Sequence, residues 1–204
     1  MEDDGAPDLQ PHYNIPPGCP ILTLRSAVTG SRELVYLRWG LIPSWAKDEK
    51  IGWKMINARA ETVAEKASFR DALQKRRCLI VVDGFYEWQK TPEGKNPILI
   101  RLRDERPFFL AGLWERWSSP AGPVIESCTI VTTRPNELLQ AIHDRMPVIV
   151  PRDRIDLWLD PKITDVAVIE PLLGPFPSAE MTTTLVSRRV NDPKNDDPGC
   201  LAVA

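Results

Sequence analysis

The sequence predicts one α+β domain built on a mainly antiparallel, barrel-like sheet with a few short flanking helices. Three observations lead there. Short apolar runs of strand type alternate with turn residues and brief helical patterns, without a regular βαβ rhythm. Twenty prolines are spread through 204 residues, about twice ordinary usage, which favours many loops and short strands over a proline-rich linker. No internal repeat or compositional break divides the chain. Residues 11–191 therefore read as one domain, after a poorly ordered acidic lead-in at 1–10 and before a polar tail at 192–204.

Composition narrows the function classes. With 26 Lys and Arg against 28 Asp and Glu, the formal charge of −2 argues against non-specific coating of DNA or of an acidic membrane. A short local nucleic-acid groove stays open. The apolar fraction of 43% predicts a packed core. No apolar run is long enough for a transmembrane helix, and Met1-Glu2-Asp3-Asp4 lacks the apolar stretch of a signal peptide. The four cysteines, Cys19, Cys78, Cys128 and Cys200, form no C-x-x-C pair, and there are two histidines. A structural zinc site and a disulfide framework are both disfavoured, and the thiols read as reduced in a cytosolic or nuclear compartment.

The elements follow in order. Pro11 to Pro20 carries four prolines and one glycine and reads as extended chain. Ile21 to Arg25 and Leu34 to Arg38 are short strands joined by a Gly30-Ser31 turn, a hairpin. Trp39 to Trp45 is a loop too apolar for a plain solvated connection, so it reads as a packed loop or a binding surface. Ala60 to Arg77 has helical character through Val63, Ala67, Phe69 or Arg70, and Leu73. Its polar face of Lys66, Arg70 and Arg77 is either solvated or phosphate-facing. Cys78 to Val82 is a strand, broken by Asp83-Gly84 and resumed by Phe85 to Trp88. Thr91 to Pro97 is a turn-rich connector. Strands follow at Ile98 to Leu102, Pro107 to Trp114, Cys128 to Thr133, Met146 to Val150 and Thr182 to Val186. One or two helical turns fall at Asn136 to Ile142, and a short helix at Arg154 to Leu159.

Several residues could carry chemistry. Glu87 lies among Phe85, Tyr86 and Trp88, where desolvation would raise its pKa and suit it to general acid or base work. Alternatively it alternates outward from a half-buried strand. His143 follows a helix-like turn and is either a proton shuttle or a cap at a helix C-terminus. His12 falls in the frayed N-terminal region. Asn57-Ala58-Arg59-Ala60-Glu61-Thr62 combines an amide, a guanidinium and a carboxylate. It reads either as a substrate and phosphate clamp or as a helix N-cap. Cys78 could pair with His143 as in a thiol protease, but it opens an apolar run, and buried thiols are usually inert. Gly-rich phosphate loops and a G-x-S-x-G elbow are absent.

Seven stretches in order resemble the SRAP family, the SOS response-associated peptidases that process abasic sites. They are Tyr13-Asn14-Ile15-Pro16-Pro17, Trp39 to Trp45, Asn57 to Thr62, Arg77 to Trp88, Thr132-Thr133, Ile142 to Pro147, and Val186-Ser187 with Val190-Asn191. The resemblance implies an SRAP-like domain that shields abasic sites in single-stranded DNA during the damage response. It implies peptidase (hydrolase) self-processing and lyase-type chemistry. Family members carry a Cys after the initiator Met, and its α-amine and thiol together close a thiazolidine on the sugar aldehyde. Carried onto this sequence, Asn57 positions the amine, and Glu87 and His143 are the acid–base residues. Arg59 holds phosphate, Trp45 and Trp88 offer stacking surfaces, and Asn14, Pro16 and Thr133 line the DNA groove. The implied protein is a monomer with no cofactor, no metal and no membrane partner, in the nucleoid of a bacterium or the nucleus of a eukaryote.

The sequence departs from the family pattern at position 2, which is Glu2. Cys19 cannot replace the missing residue, because its nitrogen is an amide and forms no imine. The expectation is that a first segment is missing or replaced. Crosslinking would then belong to a form with an N-terminal Cys, and the alternative is a non-covalent single-stranded DNA-binding module. A peptidase acting in trans through Cys78 or Glu87 is a third reading.

Overall fold

The computed structural model describes residues 9–27, 30–119 and 122–204. Within them ten strands and three short α-helices are formed. The strands are β1 (Pro20–Ser26), β2 (Arg32–Trp39), β3 (Asn57–Arg59), β4 (Arg77–Val82), β5 (Phe85–Thr91), β6 (Gly94–Leu102), β7 (Phe108–Ser118), β8 (Val124–Thr133), β9 (Met146–Pro147) and β10 (Met181–Leu185). The helices are α1 (Arg70–Lys75), α2 (Ile155–Leu159) and α3 (Val166–Ile169). Several 3-10 turns fill the connections.

Five strands close a barrel. β1 and β2 form the expected hairpin, from Pro20 opposite Arg38 to Ser26 opposite Arg32. The sheet then runs antiparallel from β1 to β4, β7 and β8. A short parallel pairing, Arg38 with Ser127 and Trp39 with Cys128, returns β8 to β2. β3 lies parallel to β8 and β9 antiparallel to it. A second, three-stranded antiparallel sheet has the order β10-β6-β5. The chain crosses from barrel to second sheet at Asp83-Gly84. There a Cβ on Gly84 would sit 3.0 Å from Leu99 Cδ1 and 3.1 Å from the Ile100 carbonyl oxygen.

Side-chain alternation sends β4 into two cores, which is why it reads as an unbroken apolar run. Leu79 joins a cluster with Leu73, Leu113, Val131 and Trp158, covered by the helices. Cys78 and Ile80 join a second cluster with Leu37, Ile100, Leu110, Ile130 and Met181, over which the second sheet closes.

Four expectations are corrected. The helix expected over Ala60 to Arg77 is confined to α1, and Glu61 to Phe69 runs as successive turns that bury Val63 and Phe69. Arg77 is not on a solvated or phosphate-facing stripe. It is 5% exposed, and its guanidinium donates to the carbonyls of Leu73, Gln74, Trp158 and Asp160, capping α1 and α2 at once. Asn57–Arg59 is a strand and not a helix N-cap, because β8 offers it a parallel edge. The polar C-terminal stretch is folded: Pro198–Leu201 is a 3-10 turn, Cys200 is buried, and Val203 bridges Val186. Its acids are used locally, for Asp196 accepts from the backbone N–H of Tyr13 and of Asn14. The acidic lead-in at 1–10 falls almost entirely outside the described residues.

Barrel closure depends on a glycine pair. Gly40 has φ +126°, and a Cβ there would lie 2.8 Å from the Gly52 carbonyl oxygen, while one on Gly52 would lie 2.7 Å from that of Gly40. Gly94 has a similar φ of +128° with nothing nearby. Gly40→Ala should therefore cost about 2–4 kcal/mol in urea unfolding, and Gly94→Ala only about 1 kcal/mol. The difference between them measures the close approach alone.

Candidate functional site

Glu87 is placed by its neighbours on β5. On the same face, Phe85 packs edge-on against Phe108 with ring centroids 6.4 Å apart, and Gln89 donates to the Ala141 carbonyl at 3.0 Å. On the opposite face, the Tyr86 hydroxyl donates to the Tyr13 carbonyl and Trp88 Nε1 donates to Asn191 Oδ1. Pinned on both sides, Glu87 keeps a side chain 21% exposed, enough to meet a substrate and too little for full hydration.

His143 comes from the turn that opens at Asn136. The buried Asn136 side chain accepts from the Leu139 N–H and donates to the Phe176 carbonyl, and the His143 N–H closes the turn on the Leu139 carbonyl. His143 Nδ1 stands 3.8 Å from Glu87 Oε2. The Arg145 N–H donates to Nδ1 at 3.1 Å, and the Arg145 carbonyl lies 3.2 Å from the same atom. The neutral ring can accept from the first, and the protonated ring can donate to the second. The imidazole thus has a backbone partner in either protonation state.

Burial pushes the Glu87 carboxyl above the ordinary carboxylate range; the His143 charge opposes this and Asp144 adds to it. The expected acid–base pair is therefore brought together, with its carboxyl biased toward the proton-bearing form.

The rest of the site hangs on β8. Asn57 and Arg59 are exposed on one face of β3, with Ala58 buried between them, opposite Ile130, Val131 and Thr132. Arg145 ties this edge to the His143 turn: it grips Glu61 bidentately at 2.7 and 2.9 Å and donates to the Thr132 carbonyl. That grip holds the Glu61 carboxyl below its usual range. Sequence reasoning gave Arg145 and Thr132 no individual role and read Glu61 only as the carboxylate of the Asn57–Thr62 run, although all three stand inside the quoted motifs. Glu61 and Arg145 are 84 residues apart, so spacing carries no sign of the pair.

The other expected residues are placed less directly. Trp45 is 58% exposed on its loop, and Trp88 is half-buried and tied to Asn191. The Asn14 amide is shared among the carbonyls of Val190, Asp192 and Asn195, so it clasps the C-terminal segment. With Pro16 it lines a cavity of about 430 Å³ that also meets His12, Cys19 and Tyr36. Thr133 is 5% exposed and paired with Met146, so it offers no open surface. Cys78 is fully buried, and burial pushes its thiol well up, which unsuits it as the nucleophile of a thiol protease.

Fold and site define a closed-barrel α+β protein that brings a carboxyl and an imidazole together, beside a strand that exposes Asn57 and Arg59. Comparison with known proteins places it further. The chain belongs to the SRAP family: the family model "SOS response associated peptidase (SRAP)" matches residues 1–193. It is 50% identical over 192 residues to the abasic site processing protein YoqW of Bacillus subtilis, covering 94% of this chain and 85% of that one. It is 33% identical over 230 residues to the abasic site processing protein HMCES of Xenopus tropicalis, covering 98% and 68%. A crystal structure of a protein from Bacteroides thetaiotaomicron superposes with a TM-score of 0.83 at 31% identity, covering 92% of this chain and 82% of that one. No helix among the described residues is long and apolar enough to cross a membrane.

The Glu87 shift has a sign that can be checked. Its carboxyl is raised in the fold, so the proton-bearing form is the favoured one there. Its contribution to stability is complete below the unfolded-state pKa and is lost as pH rises through the folded value. Glu87→Gln should raise the melting temperature by a few degrees at pH 8, and the gain should vanish near pH 4.

Proposed function

We propose that this chain processes abasic sites in single-stranded DNA, with Glu87 and His143 as the acid–base pair at the lesion sugar. The observation that carries the reading is the 3.8 Å pairing of a carboxyl biased toward its protonated form with an imidazole that has a backbone partner in both protonation states. The names of the relatives, abasic site processing proteins, support the substrate.

The chemistry suits the pair. An abasic sugar exposes its aldehyde when the bond from C1′ to the ring oxygen breaks. One proton must reach that oxygen while another leaves the C1′ hydroxyl. Protonated Glu87 gives the first and neutral His143 takes the second. Asn57, with both donors and an acceptor on its amide, positions a reacting amine. Arg59, two residues along on the same exposed face, holds a backbone phosphate. Trp45 and the ring of Trp88 offer stacking surfaces, while Asn14 and Pro16 shape the groove wall. No cofactor is required, and the protein acts as a monomer where DNA is present.

Covalent capture as a thiazolidine needs an α-amine and a thiol on one residue. Cys19 is internal and lacks the amine, so this step would need a Cys as the first residue, and non-covalent lesion binding is the second reading.

Binding to a single-stranded oligonucleotide with one abasic site, compared with its intact twin, tests the reading. The abasic strand should bind more tightly, and Arg59→Ala should weaken both strands alike. A form of the protein whose first residue is Cys should give a denaturation-resistant adduct, formed about 10²-fold more slowly with Glu87→Gln. Equal affinity for the two strands would overturn the lesion assignment.

A further inference from the structure

Between barrel strand β2 and the Asn57–Arg59 strand, the chain builds a ridge that the acid–base chemistry leaves unused. Trp53 lies on it and is 57% exposed. Its ring is nonetheless held in place. It stands at the end of the 3-10 turn Glu49–Lys54, which is capped by Asp48 accepting from the Lys50 N–H at 2.9 Å. It packs on Gly18, where a Cβ would lie 2.4 Å from the ring, so only glycine admits it. The Arg38 guanidinium is 5.9 Å from its centroid and is itself paired with Glu49 at 2.7 Å. An aromatic ring that is fixed and yet more than half in water has already lost the freedom that a stacking partner would otherwise have to remove.

The charge along this stretch is net positive. From Arg38 to Arg59 there are five cations, Arg38, Lys47, Lys50, Lys54 and Arg59, against Asp48 and Glu49, a net of +3 in a chain of net −2. Lys47, Lys50 and Lys54 are all exposed, whereas Glu49 is occupied by Arg38. Basic side chains interleaved with exposed tryptophan are complementary to a single strand, which presents phosphates and unstacked bases together. The ridge is also continuous with the candidate site. Trp53 is four residues before Asn57, no more than about 14 Å of extended chain.

We propose that Trp53 is a stacking subsite for a base flanking the lesion, with Lys50 and Lys54 on the neighbouring phosphates. The inference rests on the single-stranded DNA reading above and extends it beyond the lesion nucleotide. A strand lying over Asn57 and Arg59 reaches Trp53 within a few nucleotides on one side.

The test is fluorescence anisotropy with labelled abasic oligonucleotides, one carrying flanks on both sides and two trimmed to the lesion on one side or the other. Trp53→Ala should weaken the fully flanked strand about 5- to 100-fold and should spare one of the two trimmed strands. Trp53→Phe should keep most of the affinity. Lys50→Ala with Lys54→Ala should lower the salt slope of binding by about 1.4 on the flanked strand. Melting temperatures of the variants are measured alongside. If Trp53→Ala destabilises the fold, the trimmed-strand comparison with Trp53→Phe and the lysine salt slope decide the matter. Unchanged flanked-strand affinity in Trp53→Ala, or equal loss on all three strands, removes the subsite and leaves the lesion reading standing. Absence of any single-strand binding by the unaltered protein removes both.

Discussion

Strand β8 is the constraint on which the structure depends. It pairs antiparallel with β7 and β9 and parallel with β2 and β3. The β2 contact is only two residue pairs long, and it is what turns an open sheet into a barrel. Two backbones must approach closely beside it, and Gly40 and Gly52 allow this because neither has a Cβ. The Gly40 N–H then continues the ladder onto the Cys128 carbonyl, and the Ile42 N–H is met by Ser127 Oγ. Everything at the rim takes its position from this closed edge: Asn57 and Arg59 through β3, the His143 turn through β9, and Glu87 through the sheet stacked on the shared core.

Charge is used inside this frame to bind backbone as well as ligand. Arg77 is buried with no carboxylate in contact, and carbonyls from the ends of two short helices satisfy it. Helices of five and six residues would be marginal alone, and one guanidinium closes both. Arg145 plays a comparable part at the site, since one of its faces grips a carboxylate and the other a strand carbonyl. The Glu87–His143 pair is built differently. Glu87 and His143 stand too far apart for a hydrogen bond, and each is positioned by groups other than its partner, so a reacting atom can come between them.

How much of this could be read from the sequence depends on the range of the cause. The aromatic setting of Glu87 is local, since Phe85, Tyr86 and Trp88 are its neighbours in the chain, and its expected pKa direction matches the structure. The hairpin was legible for the same reason. The helix over Ala60 to Arg77 was misread because Val63, Phe69 and Leu73 are all buried, yet successive turns bury them as well as one helical face would. Strand β3 was invisible because nothing in Asn57-Ala58-Arg59 favours a strand; the edge of β8 imposes it. Residues 192–204 read as a polar tail because composition cannot show that Asp196 and Asp197 will receive backbone N–H groups. The placement of His143 opposite Glu87 is a product of the whole fold, and only the resemblance of the motifs pointed to it.

The clasp of Asp196 on Tyr13 and Asn14 bears on how the molecule is made. It joins residues 183 and 182 positions apart, and the Asn14 amide answers with three carbonyls from the same late segment. During synthesis these contacts have no partner until the segment around Asp196 has been made. The closing loop spans 182 residues, and its entropy must be overcome before any of the bonds returns energy. The Tyr13–Asn14 segment is therefore fixed only after all the barrel strands have been made. Until then, the surface on which the proposed function depends exists only in part on the nascent chain.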